Sequence, residues 1–293
     1  TLLTNILNVF ASEPWLFYTA VALFSLCVGS FLNVVIYRLP VMMERDWRQQ
    51  CHEFLETEAA AEDENARLSL ATPGSSCPSC GHTIRAWENI PVFSYLLLGG
   101  KCSSCKTPIS IQYPVIEAVT AIMSVVVAWK FGVTLQTLGA LFFTWALISL
   151  TMIDVHKQLL PDNITLPLLW SGLLLAIPET YTTLESSVIG AIAGYMVLWS
   201  VFQLFKLVTG KEGMGFGDFK LLAALGAWLG WQMLPQIILV SSVVGAVTGI
   251  IMLLSGQAKR QQPIPFGPYL AAAGWIAMIW GYEINQAYLT TIQ

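Results

Sequence analysis

Charge is scarce in this chain: Asp, Glu, Lys and Arg make up 11% of 293 residues, and His contributes three. That scarcity, beside 55% hydrophobic residues and a mean hydropathy of +0.64, excludes a large soluble fold and implies a polytopic membrane protein held in a lipid bilayer. A net charge of −4 says little about partners, and no nucleic acid is expected among them. Residues 1–14 hold no Lys or Arg, so they lack the basic start of a cleavable signal; the apolar run from Trp15 to Ile36 is too long for a signal core and reads as the first span. No glycine-rich nucleotide fingerprint lies near Trp87–Tyr95. An internal repeat of the kind that marks secondary transporters is missing as well.

What is present is a series of apolar runs. Eight candidate spans fall at about 15–36, 112–130, 134–153, 160–178, 186–205, 219–234, 235–255 and 263–283, the last pair but one divided by Trp231-Gln232-Met233-Leu234-Pro235. If these alternate, the 14 Lys and Arg sort thirteen to one, only Lys130 falling on the minority side. Positive residues stay inside, so the N-terminus is external and the long loop 37–111 cytoplasmic. The expected fold is an all-α polytopic membrane protein of about eight transmembrane helices with a small cytoplasmic zinc-binding domain. Its expected divisions are 1–38, the first membrane helix; 39–111, the zinc-binding region; and 112–293, a seven-helix membrane domain. Small residues four apart (Gly190 and Gly194, Gly226 and Gly230, Gly245 and Gly249) fit close helix packing.

Two carboxylates stand out against this background. Gly213-Met214-Gly215-Phe216-Gly217-Asp218 sets an acid at the mouth of an apolar helix expected to begin at Asp218, behind glycines that let a ligand or another chain approach. Asp154 closes the third span, which runs from outside to inside, whereas Asp218 opens a span running the other way from the same boundary. Both therefore share one depth and one leaflet. Two aspartates held close share a proton, one serving as base toward water and the other as acid toward a carbonyl. Such a pair hydrolyses peptide bonds without a metal or a covalent intermediate. Asp162 is a rival, but after Pro161 it suits the first turn of a helix. His156 lies in the same loop, either as an interfacial residue or tuning the site.

The loop carries a second chemistry. Cys77-Pro78-Ser79-Cys80 and Cys102-Ser103-Ser104-Cys105, separated by 21 residues, offer four thiolates for a structural zinc site; disulfides are the alternative, disfavoured in reducing cytoplasm. His82 is a spare ligand. The acidic stretch 44–67 reads as a solvated helix or partly disordered insert, with Trp47, Cys51, Phe54 and Leu55 on one apolar face, or as a field attracting a basic peptide. Cys27 reads as a small buried side chain, Asn33 as helix glue or part of a polar pocket, and Glu117 as an interfacial charge or a hydrogen-bond partner for the site.

Gly215-Phe216-Gly217-Asp218, paired with Asp154 ahead of Leu160-Pro161-Asp162, resembles the signature of the GxGD membrane aspartic proteases. Together with Gly29-Ser30-Phe31-Leu32-Asn33-Val34, the two CxxC knuckles and Glu88-Asn89-Ile90-Pro91-Val92-Phe93-Ser94-Tyr95, the match over residues 29–270 is similar to one branch, the bacterial type IV prepilin leader peptidase/N-methyltransferases. The resemblance implies a bifunctional multi-pass enzyme of the bacterial inner membrane, with zinc domain and active site facing the cytoplasm. Such enzymes cut the basic leader from type IV prepilins or type II secretion pseudopilins and methylate the new N-terminal amine with S-adenosylmethionine. It further implies that Asp154 and Asp218 are catalytic, that Cys77, Cys80, Cys102 and Cys105 bind zinc, and that methyl transfer belongs to the region of about 39–111. His156 departs from the Asp that many relatives carry there. A proton-coupled transporter and a zinc-domain scaffold are the rival classes; the former predicts acids at the bilayer midplane, and the latter leaves the paired acids unexplained.

Overall fold

The computed structural model describes residues 2–56, 68–255 and 265–292. Among these residues ten α-helices follow one another: α1 (Leu2–Ser12), α2 (Pro14–Phe54), α3 (Phe93–Leu97), α4 (Gln112–Phe131), α5 (Leu135–Lys157), α6 (Asp162–Ala176), α7 (Leu184–Thr209), α8 (Phe216–Leu229), α9 (Leu234–Leu254) and α10 (Gly267–Ile292). Among the described residues there is no strand, only two isolated β-bridges. A helix answers each expected span. Among the described residues, five segments are long and apolar enough to cross a membrane: Pro14–Phe54, Gln112–Phe131, Leu135–Lys157, Leu184–Thr209 and Trp231–Leu254. With 15 and 14 residues, α6 and α8 extend only about 22 Å, short of a hydrocarbon core of about 30 Å.

The chain forms two compact units, Thr1–Val133 and Thr134–Gln293. In the first, α2 runs 41 residues without a break, through Pro40 and into the acidic stretch. Its apolar and acidic segments are thus one helix of about 60 Å. The apolar face expected there is not covered: Trp47, Cys51, Phe54 and Leu55 are all exposed. Residues 57–67 of that stretch, with Glu58, Glu62, Asp63, Glu64 and Arg67, lie outside the described residues, as do Lys259 and Arg260. Cys27 also differs from expectation, sitting exposed on α2 rather than buried. Gly29 is where α2 meets α4 most closely, since a Cβ there would stand 2.7 Å from the Glu117 Cα. Asn33, buried beside it, donates to the carbonyls of Gly29 and Tyr113, both at 3.2 Å, which makes it helix glue.

The second unit is built around α8, buried at every residue from Asp218 to Trp228 except Lys220. A helix apolar on every side needs neighbours on every side, and α6, α7 and α10 supply them. The closest approach is to α7, where Gly190 touches the Gly226 backbone and a Cβ on Gly194 would lie 2.5 Å from the Leu222 carbonyl. These contacts give the small-residue pairs the packing role expected of them, although Gly230 instead ends α8 at φ 81°. The Trp228 indole closes the far end by donating to the Leu168 carbonyl at 2.7 Å.

Candidate active site and metal centre

Helix α8 begins two residues earlier than its sequence suggests, at Phe216, with Gly215 as the capping residue. Asp218 consequently occupies the third helical position, where an acid can reach back to the exposed backbone of the cap. Its carboxyl hydrogen-bonds Gly215, and its own N–H donates to the Gly215 carbonyl at 3.2 Å. Asp154 stands one turn before the end of α5, its carbonyl receiving the N–H of Gln158 at 2.8 Å. The two side chains are 5% and 8% exposed, and the charge of Asp154 acts on Asp218. Acids far apart in the chain thus share one buried polar site.

A third segment completes this site without having been foreseen. Gly267, the first residue of α10, donates its N–H to Asp154 Oδ2 at 3.1 Å. A helix N-terminus presents unpaired N–H groups that favour a carboxylate. No side chain fits there, because a Cβ on Gly267 would stand 2.5 Å from that same oxygen. Leu160 wedges the arrangement from below: its side chain would meet a Cβ on Gly217 at 2.8 Å and one on Gly267 at 3.2 Å. The sequence signal was there in Phe266-Gly267-Pro268, a turn at a helix start. Which carboxylate it serves is a tertiary fact.

The glycines ahead of Asp218 differ in what surrounds them. Gly213 is covered by the Phe205 ring and Gly217 by Leu160, while Gly215 alone has open space about its Cα. Phe202, Phe216 and Phe219 form a triangle of rings with centroids 5.4 to 5.6 Å apart, packing α7 against the first turn of α8. Asp162 is removed from the acid pair by Lys220, whose Nζ lies 2.7 and 2.8 Å from its two carboxylate oxygens and ties α6 to α8. His156 is exposed, its Nδ1 2.6 Å from the Met152 carbonyl, a helix-end contact.

In the first unit the four cysteines come together, their sulfurs all within 4.8 Å of one another. Tetrahedral ligands around zinc at 2.3 Å would stand about 3.8 Å apart, and Cys77 Sγ and Cys105 Sγ are 3.8 Å apart. The donor set therefore fits zinc. Two loops of matching backbone build it. Cys77 N–H donates to the His82 carbonyl and Gly81 N–H to the Cys77 carbonyl, as Cys102 N–H does to Thr107 and Lys106 N–H to Cys102, all at 2.9 to 3.1 Å. Gly81 and Lys106 make the same turn at φ 70° and 61°. Hydrogen bonding to the Thr107 side chain and backbone holds the Cys105 thiol down to about 6, whereas Cys80, despite a backbone hydrogen bond at His82, is pushed up to about 11 by desolvation and the neighbouring sulfurs. His82 faces elsewhere: its Nε2 lies 3.2 Å from Glu88 Oε2 and 3.3 Å from Ser103 Oγ. The Arg85 backbone N–H, then Ser103 and His82, hold the Glu88 carboxyl down to about 2.

Comparison with known proteins agrees with this layout. Residues 23–131 match the bacterial peptidase A24 N-terminal domain and residues 141–250 the type IV leader peptidase family. A protein of Aeromonas salmonicida strain A449 named prepilin leader peptidase/N-methyltransferase is 53% identical over 290 residues, covering 99% of this chain and 100% of the relative. Proteins of the same name from Pseudomonas aeruginosa and Legionella pneumophila are 55% identical over 97% of both chains and 46% identical over 94% of this chain and 96% of the relative. No solved structure matches. With both halves matched in order and relatives similar from end to end, the chain belongs to the type IV leader peptidase family, enzymes with protease and methyltransferase activity.

Proposed function

We propose that this protein removes the basic leader of type IV prepilins or type II secretion pseudopilins at the cytoplasmic face of the inner membrane, then methylates the new N-terminus. The observation that carries the reading is the buried pair Asp154 and Asp218, with the Gly267 N–H aimed at the first. Eight crossings would put the N-terminus outside and both acids at the inner boundary. A prepilin, basic before the cut and apolar after it, would lay its helix in lipid and leave its scissile bond at that depth.

In this mechanism one carboxylate of the pair takes a proton from water as the water oxygen attacks the scissile carbonyl carbon. The other, protonated, gives its proton to the carbonyl oxygen. Collapse of the tetrahedral intermediate breaks the C–N bond: the proton taken from water goes to the departing nitrogen, and one hydroxyl of the intermediate returns its proton to the other carboxylate. The leader leaves with a carboxyl terminus and the mature chain with a free α-amine. Gly267 keeps Asp154 in one orientation.

The methyl transfer is assigned to the cytoplasmic region of about 39–111, where Cys77, Cys80, Cys102 and Cys105 would hold a structural zinc ion. S-adenosylmethionine would supply an electrophilic methyl carbon to the new amine. Incubation of the purified protein with a prepilin and isotopically labelled S-adenosylmethionine tests both halves. Mass spectrometry should find a leader-free chain carrying one labelled methyl group. An intact prepilin would sink the peptidase reading, and a cleaved but unlabelled chain the methyl transfer.

A further inference from the structure

Val92 holds the least comfortable backbone in the first unit. Its φ of 63° and ψ of −50° are foreign to a β-branched residue. Phe93 N–H closes back on the Pro91 carbonyl at 2.7 Å, which makes Val92 the centre of a γ-turn of the rare, strained hand. Helix α3 springs from this turn, Leu96 N–H donating to the Val92 carbonyl at 3.1 Å. Something must keep the turn in place, and the Val92 N–H points to it: Glu117 Oε2 accepts that hydrogen at 2.7 Å.

Glu117 is itself an expensive residue. It is 8% exposed within an apolar helix, where an acid needs a reason to be. Its backbone is fixed by contact with Gly29, and the Ser30 hydroxyl also hydrogen-bonds its carboxyl. A turn needed only as a connection would be met by glycine at position 92 and an apolar residue at 117. Instead a strained backbone and a buried acid coincide in one hydrogen bond, the combination found where geometry serves function.

We propose that Glu117 is a positioning residue for methyl transfer: by holding the Val92 N–H it sets the γ-turn and with it the segment Trp87–Tyr95. This rests on the assignment of methyl transfer to the cytoplasmic part of the first unit. Glu117 acts as a hydrogen-bond acceptor, so an amide oxygen can replace it, and it takes no part in peptide cleavage.

The test uses the full-length enzyme in membranes with two substrates: a prepilin for cleavage, and a leader-free peptide with a free N-terminal amine plus labelled S-adenosylmethionine for methylation. Glu117→Ala should lower kcat for methylation about 50-fold or more, with cleavage within about twofold and zinc content unchanged. Glu117→Gln should stay within about fivefold of the parent. Adding Val92→Gly to Glu117→Ala should restore methylation about tenfold, because glycine adopts the turn without a clamp. Full methylation by Glu117→Ala overturns the proposal. So does a Glu117→Gln variant as inactive as Glu117→Ala, which would mean the charge acts directly, and so does loss of cleavage in step with methylation. Should Glu117→Ala fail to insert, the Glu117→Gln result decides. Cys77→Ser tests the underlying assignment separately: loss of zinc with undiminished methylation sinks that assignment, whereas selective loss of methylation there with none in Glu117→Ala sinks only the role of Glu117.

Discussion

The four-cysteine cluster of the first unit and the acid pair of the second hold their groups by opposite means. Each cysteine pair sits in a short loop whose own N–H and C=O groups close the turn, so ligand direction is set within a few residues of the ligand. Asp154 and Asp218 lie at the ends of two helices, and their mutual approach depends on how α5, α8 and α10 pack along their whole lengths. Local construction tolerates change elsewhere. A site assembled at helix ends inherits every error of the packing beneath it.

The largest test of that contrast removes the acids. Asp154→Asn or Asp218→Asn should each cut prepilin cleavage about 10³-fold or more while the protein still inserts and keeps its zinc. Retained cleavage in either variant would dissolve the pair. Cys77→Ser or chelation should come next, abolishing stoichiometric zinc by elemental analysis and opening the segment between α2 and α4 to proteolysis. Zinc folding energies are large, about 10 kcal/mol or more for small domains. Unchanged metal content would refute the four-sulfur site.

A smaller effect probes the packing. Gly267→Ala adds a methyl that cannot fit beside Asp154 Oδ2, and Gly217→Ala one that meets Leu160. Overpacking of this kind costs about 1–3 kcal/mol, and cleavage should fall at least tenfold in Gly267→Ala, with methylation of a leader-free peptide intact. Equal losses of both activities would show that the two sites are not built independently. The smallest change is expected from Lys220→Met. Its ion pair with Asp162 is about a third to a half exposed, a setting worth about 1 kcal/mol or less, so thermal stability should barely move.

How far each site could be read before folding follows from the same contrast. Cys77, Cys80, Cys102 and Cys105 announce themselves because a knuckle is a local object whose spacing is its geometry. Asp154 and Asp218 were readable for a different reason: the bias of Lys and Arg gives each span an expected direction, and on that expectation both acids fall at one boundary. Nothing local linked Gly267 to Asp154 or Leu160 to Gly217, since those pairs meet only across packed helices. The strained turn at Val92 was equally hidden, because a β-branched residue carries no signal for positive φ. Nor did the apolar residues of the acidic stretch disclose that they would stay exposed; helical spacing says which side chains share a face, not whether anything covers it.

Sequence by itself therefore determined the helical, membrane-embedded class of this protein and singled out the four cysteines and the two acids, while the sides of the bilayer that its loops favour stand as the expectation from its charge bias. Those properties depend on composition, on charge and on contacts between near neighbours in the chain. Tertiary structure alone decided that α8 would be enclosed by α6, α7 and α10, that the N-terminus of α10 would meet Asp154, and that Glu117 would clamp Val92. Each of these is a contact between backbones or side chains distant along the chain, and close packing among glycines, rather than any periodic pattern, selects the partner.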